Sequence, residues 1–295
     1  MERTISAAPP GIYETACAFC HGSPRRPEPV LPAAMTPVPP TLEGAAAKWT
    51  PRELSRIVRH GVKYTGMPAW IAPERDGEIW AMVAFLRALP EMSASEYDDL
   101  ATGDPLPGDR VLETCARCHG HDGGPSGGGF PVIGGQSELY LVAALEAYAE
   151  GSRRSGIMQF AANAVPAEEF PRLAAHYASR RGVGPRSEPD DSAGSRIAFQ
   201  GLPAQAVPAC ESCHRPSAKR PSAYQFLAGQ DAGYIATRLR LMREAGSDRP
   251  GERVMRAIAT RLPDDAIEAV AGPPTRSWTR DTGGDQGSYG STRGC

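Results

Sequence analysis

Residues 17–21 read "CAFCH", which places two thiols and an imidazole within five positions. The same spacing returns as "CARCH" at 115–119 and as "CESCH" at 210–214. One such group could arise by chance, but three copies indicate one chemistry used three times. Cysteine pairs at this spacing occur in zinc sites, dithiol redox centres and covalent haem attachment sites, so the surrounding sequence has to discriminate among these.

A structural zinc site needs four closed ligands and therefore normally has a second cysteine pair at a set spacing. Each motif here is followed by a long stretch without cysteine. A thioredoxin-type dithiol lies in a βαβ pattern, which this sequence does not show. The adjacent histidine favours c-type haem, because the thiols bind the vinyl groups of the macrocycle and the histidine coordinates the iron. The candidate haem-binding residues are Cys17, Cys20, His21, Cys115, Cys118, His119, Cys210, Cys213 and His214.

The spacing of the motifs predicts tandem domains. The motifs begin at positions 17, 115 and 210 of a 295-residue chain, a period too long for a solenoid repeat. A domain of this size has little room for a hydrophobic core of its own, and a covalently bound haem would supply the missing apolar mass. We therefore predict domains at 1–101, 105–183 and 192–272.

Residues 273–295 are predicted to form a disordered tail, because they show no apolar period. The tail follows Gly272, and the prolines at 273 and 274 end the last helix of the third domain. The third domain is therefore expected to lack the final helical turns that close the second domain.

Helical signals recur along the chain. Residues 50–53, "TPRE", read as a capping box with proline at the first helical position. Apolar residues within 76–89 recur at helical spacing, and Ser137 is placed to cap a helix that runs to Glu150. No stretch alternates with a period of two. The predicted fold class is all-α: three consecutive small domains, each with a helix carrying CxxCH and further helices around one covalently bound haem.

Each domain has a methionine downstream of its motif that could be the second axial ligand. Met158 and Met255 are both followed by alanine at +4 and proline at +8, and this repeat favours Met255 over Met242 as the third ligand. Methionine ligation raises the haem potential and closes the iron to substrates. The predicted metal ligands are His21, Met67, His119, Met158, His214 and Met255.

The remaining methionines are predicted to be core residues, which is the usual role of a lone methionine; they are Met35, Met82, Met92 and Met242. His60 ends a predicted helix and is a rival to Met67 as ligand. His121 and His176 are predicted to face solvent.

Charge and hydropathy limit the location and the partners. The net charge of −2 argues against nucleic acid as a partner. No run of 18 apolar residues could span a membrane, and residues 1–16 lack the apolar centre of a secretory signal. Because c-type haem is attached outside the bacterial cytoplasm, we expect a periplasmic protein whose signal or anchor was removed or lies upstream. Membrane association is expected only through such an anchor or a partner.

These motifs resemble those of class I, mitochondrial-type cytochromes c, over roughly residues 10–271. The second and third domains resemble the paired domains of bacterial tandem dihaem cytochromes c. The first is similar to single-haem carriers and subunits with a "TGMPAW" segment, found here at 65–70. In that family a proline carbonyl supports the proximal histidine. Pro40 and Pro131 match this proline. Gln225 replaces it in the third domain, so the family pattern leaves the supporting hydrogen bond of that domain open.

The resemblance implies a trihaem electron-transfer protein with His/Met ligation. The donor would be a periplasmic or membrane-bound dehydrogenase or quinol-oxidising complex, and the acceptor a terminal oxidase or reductase. The alternative is a haem enzyme, a peroxidase or a sulfur-compound oxidoreductase, with one open iron site. A third hypothesis is a sensory module, but no output signature accompanies the motifs.

Overall fold

The computed structural model describes residues 8–25, 35–102, 108–124, 130–182, 190–215, 224–244 and 250–272. Within these ranges the regular structure consists of helices, with isolated bridge residues such as the antiparallel pair Leu202 and Val207. The predicted all-α class is confirmed. No helix in these ranges has the length and apolar character needed to cross a membrane. The predicted tail lies outside the described residues, as do most of the segments between the predicted domains, 102–104 and 184–191.

The helices fall into three consecutive groups, which we call unit one (8–102), unit two (108–182) and unit three (190–272). Unit one contains α1 (Ala8–Ile12), α2 (Ala18–His21), α3 (Leu42–Ala45), α4 (Pro51–His60), α5 (Asp76–Ala88) and α6 (Ala94–Thr102). A π-helical turn, Tyr13–Cys17, joins α1 to α2, and two 3₁₀ turns follow α3 and α5 at Ala46–Lys48 and Leu89–Glu91. The predicted capping box is present at the start of α4.

Unit one packs around an apolar cluster in which three aromatic rings meet. The Phe85 ring centre lies 5.2 Å from that of Tyr13 and 6.4 Å from that of Tyr97. Glu14 is buried beside them and accepts hydrogen bonds from Ser23 and Tyr97, each at 2.7 Å. Because this carboxylate is hydrogen-bonded, the cluster can bury it without leaving its oxygens unpaired.

Unit two contains α7 (Arg110–His119), α8 (Glu138–Ala149), α9 (Gly156–Asn163), a 3₁₀ turn (Ala167–Glu169) and α10 (Phe170–Ala178). The second CxxCH motif of the chain lies at the end of α7, as predicted. The Ser137 side chain accepts a hydrogen bond from the backbone N–H of Tyr140 and so caps α8. Helix α10 packs against α8, and Leu173 and Tyr177 of α10 are buried in the cluster between them.

Unit three contains α11 (Ala193–Gln200), a 3₁₀ turn (Pro203–Gln205), α12 (Glu211–His214), α13 (Ala232–Glu244), α14 (Pro250–Ala259) and α15 (Asp264–Ala271). In unit three a helix carries the motif histidine, as predicted, but it is not the first helix of the unit. Gly201, with φ of 74°, ends α11, and its missing Cβ makes room for the Val207 carbonyl. The motif therefore follows a turn and lies on the separate short helix α12.

The end of unit three is more complete than predicted. Helix α15 stops at Ala271 before Gly272, as expected, but it packs closely along α11. Gly194 of α11 lies so near the Ala269 carbonyl that no side chain would fit. Ile267 is fully buried in the third apolar cluster. The remaining turns are thus sufficient to close this side of unit three.

Units two and three meet through two glutamines, one from each unit. Each glutamine side chain makes two hydrogen bonds to one backbone residue of the other unit. Gln136 Nε2 donates to the Phe226 carbonyl at 2.8 Å, and Gln136 Oε1 accepts from the Phe226 N–H at 2.9 Å. Gln230 bonds the backbone of Val132 in the same way, at 2.9 and 2.7 Å. Because segments 131–136 and 225–230 are equivalent in the repeat, this junction has local two-fold character.

Candidate haem-binding site

Each CxxCH histidine places its Nδ1 atom within hydrogen-bond distance of a backbone carbonyl. The pairs are His21 with Pro40 at 2.8 Å, His119 with Pro131 at 3.2 Å, and His214 with Gln225 at 2.7 Å. A carbonyl oxygen can only accept, so Nδ1 carries the hydrogen and Nε2 keeps its lone pair. The hydrogen bond thus fixes the imidazole tautomer in which Nε2 can bind a metal, and it fixes the orientation of the ring.

The hydrogen bond is present in unit three, which answers the question that Gln225 left open. Proline is not required at this position, because the carbonyl that accepts from His214 belongs to the backbone. The Gln225 side chain has a further role, since its Oε1 atom accepts hydrogen bonds from Tyr140 at 3.1 Å and Tyr234 at 3.3 Å. The glutamine therefore connects the proximal side of unit three to a tyrosine of unit two.

In unit two the structure brings three of the predicted residues to one cavity. Cys115, His119 and Met158 all line it, together with apolar side chains of α8 and α10. These residues supply a thiol, an imidazole and a thioether around an apolar space, which is the donor set that a class I haem requires. Met158 and its motif therefore share one cavity, and its role as a ligand remains a prediction.

A buried arginine provides an independent test of whether haem fits this cavity. Arg153 lines it, is 7% exposed, and donates to the hydroxyl groups of Tyr140 and Tyr234, both at 3.0 Å. Its Nε atom is buried without a hydrogen-bond partner among the described residues. An unpaired guanidinium N–H of this kind suits a carboxylate, and haem carries two. The chemistry of the cavity therefore fits the group.

A second cavity, of about 560 Å³, extends from the motif of unit two to both neighbouring units. Cys118 and Met158 line it from unit two, Thr15 lines it from unit one, and Thr237 lines it from unit three. Unit two is therefore the unit whose candidate haem site borders both of the others.

Burial sets the protonation of the candidate ligands. Burial lowers the pKa of His119 to about 4, although the hydrogen bond to Pro131 acts in the opposite direction. The pKa of His214 is lowered for the same reason. Both imidazoles are therefore neutral at pH 7, and neutral imidazole is the form that binds iron.

The cysteines differ from reactive dithiols. Burial, with a smaller contribution from Cys20, raises the pKa of Cys17 to about 12. Burial likewise raises the pKa of Cys115 to about 12 and that of Cys210 to about 11. A redox dithiol needs a lowered thiol pKa, so these environments disfavour that alternative.

All three methionine ligands, Met67, Met158 and Met255, remain predictions. Met67 is partly buried on the loop after α4, where its backbone oxygen accepts from Val62 at 3.1 Å. Met255 is partly buried against the third apolar cluster, and so is its rival Met242. Of the methionines predicted to be core residues, Met82 is buried and Met92 packs beside it.

Two histidines predicted to face solvent are partly buried. His176 Nε2 contacts the backbone oxygen of His121 at 2.8 Å, which ties α10 to the loop after the second motif. His60, the rival ligand, is exposed at the end of α4. Arg153 was not among the residues predicted from the sequence. The signal that could have pointed to it is the repeated spacing of Gln136 to Tyr140 and of Gln230 to Tyr234, since both tyrosines accept from Arg153.

The chain is similar in sequence to known c-type cytochromes. Residues 6–86 match the family model described as "Cytochrome C oxidase, cbb3-type, subunit III", and residues 106–175 match "Cytochrome c". The chain is 31% identical over 184 residues to cytochrome c4 of Azotobacter vinelandii, covering 58% of this chain and 88% of that protein. It is 30% identical over 199 residues to the thiosulfate dehydrogenase electron acceptor of Stutzerimonas stutzeri strain A1501, covering 65% and 92%. A crystal structure of reduced cytochrome c4 from Pseudomonas stutzeri aligns with a TM-score of 0.48 and 28% identity, over 54% of this chain and 91% of that one.

With the donor set of unit two and these relatives together, the chain belongs to the class I c-type cytochromes. This family membership implies covalently bound haem c and a role in electron transfer.

Proposed function

We propose that the chain binds three covalently attached haems c and carries single electrons between redox proteins. The main observation in support is that each of the three CxxCH histidines places Nδ1 at 2.7–3.2 Å from a backbone carbonyl oxygen. Because unit three makes this bond without the expected proline, the third motif has the same proximal arrangement as the other two.

Haem iron supplies the one-electron chemistry, and the residues of the chain determine how it is held. The cysteines of each motif would form the thioether bonds, and the motif histidine would be the proximal ligand. Met67, Met158 and Met255 would be the distal ligands. The donor set closes each iron to small molecules, which favours electron transfer over catalysis.

Unit two is proposed to be the central relay, because its cavity borders both neighbours. Electrons would enter at one end of the series and leave at the other. Two relatives are named thiosulfate dehydrogenase electron acceptors, which favours a dehydrogenase as the donor, with a terminal oxidase or reductase as the acceptor. Covalent haem attachment implies a periplasmic location, and membrane association would come from an anchor or partner.

The number of haems can be measured directly. We expect the mature protein to keep haem through acid-acetone extraction and to show the mass of three haems by intact mass spectrometry. The Cys210→Ala/Cys213→Ala variant should lose one haem, and so should the equivalent double variants of the other motifs. A wild-type mass with only two haems would contradict the assignment of one motif.

The alternative, a haem enzyme, requires one open iron. Reduced wild-type protein should bind no carbon monoxide, whereas Met67→Ala, Met158→Ala and Met255→Ala should each bind about one equivalent. Each substitution should also lower one of three midpoint potentials, because thioether ligation raises the potential. Stoichiometric carbon monoxide binding by the wild type would instead support the enzyme hypothesis.

A further inference from the structure

A buried carboxylate at the junction of units one and two accepts four hydrogen bonds, two from each unit. Glu78, near the start of α5, is 9% exposed. From unit one it accepts from Trp70 Nε1 at 3.1 Å and from Arg75 Nε at 3.0 Å. From unit two it accepts from Ser155 Oγ at 2.6 Å and from the Gly156 N–H at 2.9 Å.

On the side of unit two, these bonds lead to the candidate ligand Met158. Ser155 is the N-cap of α9, and its Oγ atom accepts from the Met158 N–H at 3.1 Å while donating to Glu78. The carboxylate is therefore connected to the backbone of Met158 through two successive hydrogen bonds that share Ser155 Oγ. It also lies at the N-terminus of α9, where a negative charge is favoured by the helix dipole.

On the side of unit one, the same carboxylate holds the segment that follows Met67. Trp70 is three residues beyond Met67, and its backbone N–H donates to Val58 at 3.1 Å. The Trp70 ring packs so closely on Gly156 that a side chain there would not fit. Ile157 of unit two continues this contact by packing against the apolar cluster of unit one.

We propose that Glu78 is a positioning residue that joins the methionine-bearing segments of units one and two, so that distal ligation in unit two depends on a residue of unit one. This inference rests on the proposed function, because it takes Met158 to be an iron ligand. The four donors require a carboxylate, because both of its oxygens accept hydrogen bonds. An amide at the same place can accept through only one of its two terminal atoms.

The test follows the methionine–iron absorption band of the oxidised three-haem protein through a denaturant titration. The one third of the band intensity that Met158→Ala removes belongs to the haem of unit two. We expect Glu78→Gln to raise the equilibrium constant for loss of this third by at least about tenfold, which corresponds to about 1.4 kcal/mol. The other two thirds should be shifted less.

Glu74→Gln is the matched control. Glu74 pairs with Arg154 across the same junction, but both side chains are exposed by more than a third, and exposed pairs contribute little. This variant should stay within about twofold of the wild type. Glu78→Gln behaving like Glu74→Gln, or shifting all three haems equally, would overturn the proposal.

A double-mutant cycle with Ser155→Ala distinguishes loss of the hydrogen bond between Ser155 and Glu78 from loss of the N-cap of α9. Ser155→Ala removes both the cap of α9 and the bond to Glu78, so only the coupling between the two sites tests the proposal. We expect the double variant to lie within about twofold of the more severe single variant, and additive effects would overturn the proposal. If Met158→Ala leaves the band unchanged, the ligand assignment itself fails, and this inference fails with it.

Discussion

The junction of units two and three depends on two glutamine side chains. Gln136 and Gln230 are 2% and 4% exposed, and each bonds both polar atoms of one backbone residue in the opposite unit. A primary amide is suited to this, because it carries a donor and an acceptor side by side. Replacing either glutamine would leave a buried N–H and a buried carbonyl without partners.

We therefore predict that Gln136→Ala and Gln230→Ala each destabilise the paired units by about 2 kcal/mol or more. The two losses should be similar, because the two sides of the junction are equivalent. Denaturant unfolding followed by haem absorbance measures them, with the exposed Gln200→Ala as control, expected within about 0.5 kcal/mol of wild type. A large loss for one glutamine alone would show that the junction is not shared equally.

Arg153 also shows how a single residue can serve two units. Its guanidinium donates to tyrosines of units two and three, and the guanidinium carbon lies 4.6 Å from the centre of the Tyr148 ring. Nearby tyrosine hydroxyls raise its pKa against the effect of burial, so that the charge is retained. A retained buried charge requires an anionic or strongly polar partner, which is consistent with a haem carboxylate.

At the scale of the helix, the start of α7 is held by a carboxylate with two roles. Asp109 Oδ1 accepts from the Leu112 N–H at 3.0 Å and so caps the helix that ends in the second motif. The same side chain pairs with Arg172 of α10 at 2.7 Å. The hydrogen bond from Arg172, followed by that from Leu112, lowers the pKa of Asp109 to about 2.

Since the folded pKa lies below the unfolded value of about 3.9, the contribution of Asp109 to stability is present above about pH 4 and is lost towards pH 2. Asp109 is one-third exposed, so screening limits this contribution to about 1 kcal/mol or less. Asp109→Asn should keep the cap but remove this pH dependence, while Asp109→Ala should lose the cap as well.

Acid unfolding of the haem-bound protein, compared between wild type and Asp109→Asn, measures the effect. Their difference in unfolding free energy should shrink as the pH falls from 4 to 2. The exposed Glu150→Gln serves as control. A difference that stays constant over this range would show that Asp109 does not titrate as described.

At the scale of the whole molecule, the three units form a series with unit two in the middle. Unit two contacts unit one through Glu78 and unit three through the paired glutamines. The two junctions differ in kind, because one is built on a charged carboxylate and the other on two equivalent neutral amides.

We predict that deleting residues 273–295 leaves the first unfolding transition of the haem-bound protein unchanged. The apolar cluster of unit three is closed by α15, in which Ile267 is fully buried, and Gly272 ends the helix with φ of 84°. The methionine–iron band in a denaturant titration is the measurement. An earlier loss of one haem's share of the band would mean that the segment completes the core of unit three.

The sequence by itself determined the features that depend on local spacing. The three CxxCH motifs, the capping box at Thr50 and the cap at Ser137 involve residues within one helical turn, so their pattern is visible along the chain. The all-α class follows from the same short-range signals. The repeat between the second and third units also singled out Met158, which lines the same cavity as His119.

The tertiary structure alone decided how the units join and which groups complete the sites. The bonds of Gln230 to Val132 and of Ser155 to Glu78 connect residues 98 and 77 positions apart. The partner of His214 is a backbone carbonyl, which every residue type carries and no sequence motif records. Such contacts depend on where folding brings distant backbone groups, and periodicity and motif spacing carry no information about that.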